Sequence, residues 1–350
     1  MNVAELLDHL SMGSSVADAE IEGDLNGLSF ESVTFMRVNL ERAIIGNCDL
    51  SKSVFVACVA GSVDWRGATL NGTTFSECEL QGSDFSESAM SQCIFSKTDF
   101  TRTNFSGANI DKCIIAGCNF SDCSFSESTL FESSFMASRV DRAQFQNISW
   151  INFSMNDVDF TSCLWAPARV ERAVLVQCDF SGQSLRQTEW VQCSLNDSRL
   201  YNTDFTDANL FHCLFVNCEI KDSAFKRAQL KGALFTNASI ANTDFSNAEI
   251  ESGNFDGVKG FAIDFSGAQL PQSRFSGATL VETDFSGTNL ARADFSNADL
   301  QSVAFSGANL AHAKWQNVEN DGELSMTQAG AVIATDEVRL AVDRRTGRAA

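Results

Sequence analysis

The chain has 350 residues and a formal net charge of -20, with 25 Lys and Arg residues against 45 Asp and Glu residues. This acidity argues against direct binding to nucleic acid or to an anionic membrane, because both require a basic surface. Two prolines, one tyrosine and 29 phenylalanines make a composition unlike that of mixed α/β enzymes and indicate a repetitive sequence. The first residues show no signal-peptide pattern and there is no long uninterrupted apolar stretch, so a cytoplasmic protein is expected.

Residues 1–24 are predicted to form an N-terminal cap with a short helix over residues 2–10. Asn2 is a suitable N-cap, and Gly13 lies beyond the end of the helix. We expect an apolar stripe of this helix to cover the first coil of the array that follows, because terminal repeats must be capped to stay soluble. The residues of the stripe are Val3, Leu6, Leu7 and Leu10.

Residues 25–318 repeat with a period of five. If every fifth residue from Leu25 to Trp315 is taken as a centre, all centres are bulky and apolar except Ala60 and Gly260. The residue two positions before each centre is mostly Ala, Cys, Ser, Thr or Val. Since the phase never slips, no inserted loop is predicted within this array.

The pattern resembles the pentapeptide-repeat family, whose motif is a small residue, Asp or Asn, Leu or Phe, and two variable residues. Residues 282–300, ETDFSGTNLARADFSNADL, show it well. The resemblance implies an all-β fold, a right-handed four-sided parallel β-helix of about 15 coils with four units per coil. Alternating large and small inward residues would fill its narrow interior. Centres whose numbers end in 5 are mostly Phe, so Phe-lined sides are expected to face each other across the axis.

All 12 cysteines lie two residues before a centre, in the position for small buried side chains. We interpret them as reduced core thiols in a reducing compartment. Cysteines 20 residues apart, such as Cys58 and Cys78, should stack on adjacent coils, although their parallel Cβ vectors disfavour a disulfide.

Catalytic residues, metal ligands and cofactors are not predicted. The three histidines, His9, His212 and His312, are too scattered for a triad or a metal site. The sequence also lacks a phosphate-binding loop and a dinucleotide fingerprint. We therefore expect a protein that is not an enzyme.

Residues 20 apart in the sequence should share an outward face, and one such face is apolar. It is our candidate interface, either for a protein partner or for a homodimer. Alternatively, its residues are strand formers tolerated at the surface. The face consists of Val54, Ile94, Ile114, Val174, Leu214 and Leu234 before the centres, and of Phe131, Ile151, Val191 and Phe211 at the preceding corner; Met36, Val56, Met136, Val176 and Val216 follow the same centres.

The opposite side is the candidate acidic face. Because the family motif places Asp or Asn before each centre, part of this acidity comes with the fold. The net charge, spread over roughly 70 Å of stacked coils, has roughly half the line density of duplex DNA. The members of this face are Asp64, Asp84, Asp204, Asp244, Asp264 and Asp284.

Residues 319–350 are predicted to be a non-repeat C-terminal tail. Val338, Leu340 and Val342 alternate with more polar residues, which favours a strand or an extended segment. The chain finishes with a basic stretch that contains Arg344, Arg345 and Arg348.

Two functions fit this sequence. The first is a non-catalytic interaction or scaffold module, because residues 4–23 resemble the head of pentapeptide-repeat modules accessory to bacterial type VI secretion systems. The alternative is a DNA mimic that binds DNA gyrase or a related type II topoisomerase and protects or inhibits it. A fused enzyme is not expected, since the non-repeat ends are too short for a catalytic domain.

Overall fold

The computed structural model of the chain describes residues 1–165 and 168–321. The chain divides into two compact units, unit 1 with residues 1–174 and unit 2 from residue 175 onwards. The two are described separately. In each, β-strands stack in parallel with a period of 20 residues, and the described part of the chain has one helix, at the N-terminus.

The five-residue period is visible in the burial of the side chains. From Phe30 to Leu300, the described centres and the residues two positions before them are buried, whereas the residue between them mostly faces outward. The alternation follows from strand geometry, in which successive side chains point to opposite faces. The interior of each unit is therefore lined by two residues of every five.

Backbone hydrogen bonds join each coil to the next. In unit 1, Ile114 N donates to Cys93 O at 2.9 Å, and in unit 2, Phe265 N donates to Asp284 O at 2.8 Å. Parallel bridges occur on all four sides of a coil, as unit 2 shows with the pairs Asp244 and Asp264, Glu249 and Gln269, Asn254 and Arg274, and Lys259 and Thr279. The predicted all-β class with a four-sided parallel β-helix is confirmed.

The helix α1, Val3–Met12, is two residues longer than predicted and begins at the predicted N-cap. Asn2 and Glu5 form a capping box, in which each side chain accepts a hydrogen bond from the backbone N–H of the other. Of the predicted apolar stripe, Leu6 is fully buried, whereas Leu7 is 44% exposed. The covering of the first coil thus depends on the Leu6 side of the helix.

In unit 1, β-structure begins before Leu25, the predicted start of the array. Strand β1 (Ser15–Ala17) pairs with β3 (Thr34–Met36) at an offset of 19 residues, one less than in later coils. The register shift lies within β2 (Glu20–Asp24), where it pairs with β4 (Asn39–Ile44). A five-residue count does not find this coil, because its phase differs by one residue.

The remaining strands of unit 1 form two further groups. Strands β1 and β3 continue into an eight-stranded sheet with β5 (Val54–Val56), β6 (Thr74–Ser76), β8 (Ile94–Ser96), β10 (Ile114–Ala116), β12 (Ser134–Met136) and β14 (Ser154–Met155). On an adjoining side lie β7 (Ala89–Ser91), β9 (Asn109–Asp111), β11 (Thr129–Phe131), β13 (Ile148–Ile151) and β15 (Ala168–Glu171).

Unit 2 contains β16 (Glu189–Val191) and a seven-stranded sheet. The strands of that sheet are β17 (Arg199–Tyr201), β18 (Glu219–Lys221), β19 (Ser239–Ala241), β20 (Lys259–Phe261), β21 (Thr279–Val281), β22 (Asp299–Gln301) and β23 (Glu319–Asn320). The pairing of β23 with β22 continues the coil register two residues beyond the predicted end of the array at residue 318.

Phenylalanine ladders fill the interior of unit 2. Phe265 stacks on Phe285 of the next coil with ring centroids 5.0 Å apart, and meets Phe275 from the facing side edge-on at 6.1 Å. Such pairs contribute about 0.5–1.5 kcal/mol each beyond area burial. The prediction that Phe-lined sides face each other across the axis is confirmed.

The corners of the coils require a left-handed backbone at the second residue after each centre. This position has a φ of 68° at Gly267, and 49° at Ala137 and Ala262. Many polar residues adopt the same conformation, which L-residues normally avoid. The corners therefore tolerate varied side chains at a conformational cost.

The 12 cysteines are buried free thiols, in the predicted inward position. Their sulfurs donate to backbone carbonyls, as Cys93 Sγ does to Leu70 O at 2.8 Å. The predicted strand around Val338, Leu340 and Val342 and the basic finish lie outside the described residues.

Candidate interaction surfaces

The outward position before each centre forms straight columns, because consecutive coils are in register. The candidate apolar face follows the column of the eight-stranded sheet in unit 1. There Ile94 on β8 and Ile114 on β10 are register partners. Their side chains are 44% and 49% exposed. Two branched apolar side chains thus lie side by side on a regular sheet.

Three further apolar side chains adjoin this pair. Phe131 and Ile151 are register partners at the neighbouring corner and are half-buried. Met136 on β12 is 50% exposed and pairs with Ala116 on β10. We call Ile94, Ile114, Phe131, Met136 and Ile151 the apolar patch.

Charged side chains border the patch. Lys112 Nζ lies 5.7 Å from the centroid of the Phe131 ring, within cation–π range. The same ammonium lies 3.7 Å from Asp111 and 3.8 Å from Glu132. An apolar centre with a polar border is the usual arrangement of a protein–protein interface.

Other members of the predicted apolar face in unit 1 lie apart from the patch. Val54 is half-buried between Thr34 and Thr74 in its column. Val174 is 42% exposed, next to Ser154. Hydroxyl-bearing residues therefore interrupt the predicted face within this unit.

In unit 2 the apolar residues form a shorter stretch. Leu214 and Leu234 are bridged neighbours and both are half-buried, as are Val191 and Phe211. Beyond Leu234 the column becomes polar and charged; its next residues are Asn254, Arg274, Asp294 and Lys314.

The acidic face also differs between the units. In unit 1, Asp64 and Asp84 are bridged neighbours, but the column continues through uncharged residues to Leu164, which is 52% exposed. In unit 2, Asp204 is followed by an alanine, and then Asp244, Asp264 and Asp284 occupy three consecutive coils.

Each of these six aspartates has a local structural role. The Oδ1 atom accepts a hydrogen bond from the backbone N–H two residues later, at 2.7 to 3.0 Å. Asn104 makes the same bond to Ser106 N in unit 1. The bond closes an Asx turn, so an amide serves the corner as well as a carboxylate does.

Cations neutralise part of the acidic face. Arg66 lies 2.7 Å from Asp64, and its hydrogen bond holds the pKa of that carboxyl below its usual value. Burial raises the pKa of Asp204, but hydrogen bonds from Thr206 and Arg186 outweigh it and the pKa is lowered. Within residues 1–165 and 168–321, no ion pair is seen at Asp264 or Asp284.

The sequence analysis missed one exposed aromatic residue. Phe261 on β20 is 46% exposed, in the position after a centre of unit 2. The analysis compared only the columns beside the Phe-lined sides, and Phe261 follows Gly260 on another side. The five-residue count itself was the signal, since it places residue 261 outward.

Two kinds of site were sought among the described residues. No group of His, Cys, Asp or Glu side chains there is arranged to hold a metal ion. Helices long and apolar enough to cross a membrane are likewise not found in that part of the chain.

Two family models match the chain. The model described as "Pentapeptide repeat region" matches residues 168–245 and 188–261, and that described as "Pentapeptide repeats (8 copies)" matches residues 53–92, 83–126 and 263–297. Together they cover more than half of the chain. A comparison with curated protein sequences gave no match.

Several solved structures are similar to this chain. HetL, a pentapeptide repeat protein of the cyanobacterium Nostoc sp. strain PCC 7120, is 19% identical; the match covers 91% of this chain and 96% of HetL with a TM-score of 0.22. QnrB1, a plasmid-mediated fluoroquinolone resistance protein, is 17% identical over 55% of this chain and 96% of its own, with a TM-score of 0.30. With its five-residue period, its stacked four-sided coils and both family matches, the chain belongs to the pentapeptide-repeat family.

Proposed function

We propose that this chain is a non-catalytic protein-interaction scaffold that binds another protein through the apolar patch of unit 1. The observation that carries the proposal is the exposed pair Ile94 and Ile114, flanked by Phe131, Met136 and Ile151 on one regular surface. Burial of apolar surface contributes about 25 cal/mol per Å². A partner that covers these side chains therefore gains affinity from surface that is otherwise in contact with water.

The chemistry of the partner follows from the border of the patch. Lys112 and Glu132 carry opposite charges beside Phe131, so a binding surface with an apolar centre and mixed charges at its edge fits. A nucleic acid or a membrane does not fit, because the chain has a net charge of -20. We commit to a different protein as the occupant, and a second copy of this chain is the competing outcome.

The test uses a double variant, Ile94→Asp with Ile114→Asp. A partner is captured from the source cells, identified and purified, and its affinity is then measured with the wild-type chain and with the variant. We expect at least a tenfold loss of affinity, because two charges would be buried in an apolar interface. Asp84→Asn, on the acidic face of the same unit, is the matched control and should bind as the wild type does.

Light scattering distinguishes the homodimer. A wild-type dimer that becomes a folded monomer in Ile114→Asp with Leu214→Asp would replace the partner with a second copy. Undiminished partner affinity in the double variant would contradict the role of the patch.

A finer proposal is that the scaffold is an accessory protein of a bacterial type VI secretion system and acts in the cytoplasm. Its support is the resemblance of residues 4–23 to the head of such modules. Purified spike and effector proteins from the source organism should then bind the chain, and failure of all of them to bind would reject this assignment while leaving the scaffold proposal intact.

A second candidate function is that of a DNA mimic acting on gyrase. The observation that favours it is the run of Asp244, Asp264 and Asp284 on three consecutive coils of unit 2. Regularly spaced carboxylates reproduce part of the charge pattern of a phosphate backbone. A supercoiling assay tests it: inhibition or quinolone protection by the wild type that is lost in the triple Asp→Asn variant would favour the mimic, and no effect at micromolar protein would reject it.

A further inference from the structure

One face of unit 2 carries exposed apolar side chains that belong to neither candidate face. Phe261 on β20 is 46% exposed. Its register partners are Ala241 on β19 and Val281 on β21, so three apolar residues share one outward column of the seven-stranded sheet. An exposed aromatic side chain in such a column indicates a surface that is covered in the working protein.

Acidic side chains surround the end of this column. Asp299 lies on β22, Glu319 lies on β23, and Glu282 follows Val281 at the corner. Within the described part of unit 2, no Lys or Arg lies within ion-pair distance of these three carboxylates. The cation on the same strands is Lys259, which begins β20. The surface near the end of the coils is therefore apolar with an acidic border.

The described chain ends on this same column. Ser302 N donates to Asp321 Oδ2 at 2.6 Å, and residue 321 follows Phe261, Val281 and Gln301 at steps of 20. Three coil spacings separate residue 321 from Phe261, about 14 Å. The 16 residues 322–337 can span about 50 Å when extended, so residues 338–348 can reach Phe261.

The sequence of residues 338–348 complements that surface. Val338, Leu340 and Val342 alternate along it, and it contains four arginines: Arg339, Arg344, Arg345 and Arg348. We infer that residues 338–348 of the same chain dock on this face, with the alternating apolar side chains over Phe261 and Val281. The arginines then lie beside Glu282, Asp299 and Glu319, where opposite charges set the orientation of the segment.

Limited proteolysis of the full chain tests this inference. Trypsin cleaves after arginine, and cleavage after Arg345 is followed by intact mass. In the wild type, docking should slow this cleavage. We expect Phe261→Asp to accelerate it at least about fivefold, because the charge removes the apolar contact. Leu214→Asp, on another side of unit 2, is the matched control and should leave the rate unchanged.

A second variant keeps the test valid if Phe261→Asp disturbs folding. Leu340→Asp lies outside the coils and outside the immediate recognition site for cleavage after Arg345, and it should give the same acceleration. Equal rates in the wild type and both variants would overturn the inference. Protection that grows with protein concentration would also overturn it, because the face would then be occupied by the segment of a second copy.

The charges are tested by Glu282→Gln combined with Asp299→Asn and Glu319→Gln. The variant should be cleaved faster than the wild type at low salt, and the difference should shrink at high salt, because exposed ion pairs are screened. A variant that is cleaved at the wild-type rate at low salt would remove the acidic border from the inference.

Discussion

Gly260 and Ile263 exchange the side-chain sizes that their two positions normally hold. Gly260 stands at a centre, where other units place a bulky residue, and Ile263 stands in the position for small residues. A Cβ added to Gly260 would lie 2.7 Å from Ile263 Cδ1 and 2.8 Å from Leu280 Cδ2. Ile263 therefore fills interior space that a centre fills in the other coils.

This exchange predicts that the two positions are energetically coupled. Gly260→Leu should lower the free energy of unfolding by about 1–3 kcal/mol, because it overpacks a filled interior. Adding Ile263→Ala should restore most of the loss by returning the usual order of sizes. Chemical unfolding followed by circular dichroism measures both variants, and a double variant less stable than either single variant would contradict the coupling.

The buried thiols should be inert in the folded protein. Burial raises the pKa of Cys48 and Cys118 to about 11, and that of Cys163 and Cys218 to about 12. Since the thiolate is the nucleophile, a thiol-specific reagent at pH 8 should modify none of the 12 cysteines until the chain is denatured. Fast reaction of any native cysteine would show that its coil opens, and the number of modified residues by mass spectrometry decides.

Corner substitutions should change stability according to φ. Gly277 has a φ of 65° and open space around an added Cβ, so Gly277→Ala should cost about 1 kcal/mol from conformation alone. Ala262→Gly, at a φ of 49°, should be neutral or stabilising by up to about 1 kcal/mol.

Gly13→Ala is the control for these corner variants. Its φ of -175° is extended and an added Cβ meets nothing within 4 Å, so no loss of stability is expected. Thermal unfolding compares the three variants, and an equal loss in Gly13→Ala and Gly277→Ala would contradict the assignment of the cost to the left-handed corner.

The acidic column should tolerate amides better than alanine. Asp264→Asn keeps the acceptor for Ser266 N, now at 2.8 Å, whereas Asp264→Ala removes it and should cost about 1 kcal/mol. Because Asp244 and Asp284 are its bridged neighbours, the amide also relieves repulsion and should be slightly stabilising at low salt. An asparagine variant as unstable as the alanine variant would show that the carboxylate charge itself is needed for folding.

The five-residue period predicts the interior of this protein well, because each inward position repeats with the same size class. It predicted the buried cysteines and the facing Phe ladders, as at Phe265 and Phe275. The first coil at Ser15–Ala17 escaped it, because a one-residue register change breaks the count.

The outward surface was less predictable from the sequence. A column shows which residues stack, but not how exposed each one is: Ile114 is 49% exposed, whereas Leu214, in the same position of its unit, is half-buried. Exposure depends on the neighbouring corner side chains, which vary from coil to coil. The candidate surfaces therefore required coordinates, whereas the core did not.

Site-specific photo-crosslinking in the source cells tests the scaffold proposal most directly. A photoreactive phenylalanine analogue replaces Ile114 in the apolar patch, and in a second strain it replaces Asp84 on the acidic face of the same unit. The account predicts a covalent adduct with a distinct protein at position 114 and none at position 84. Adducts at position 84 alone, or at neither position in a folded protein, would contradict the claim that the apolar patch binds a partner.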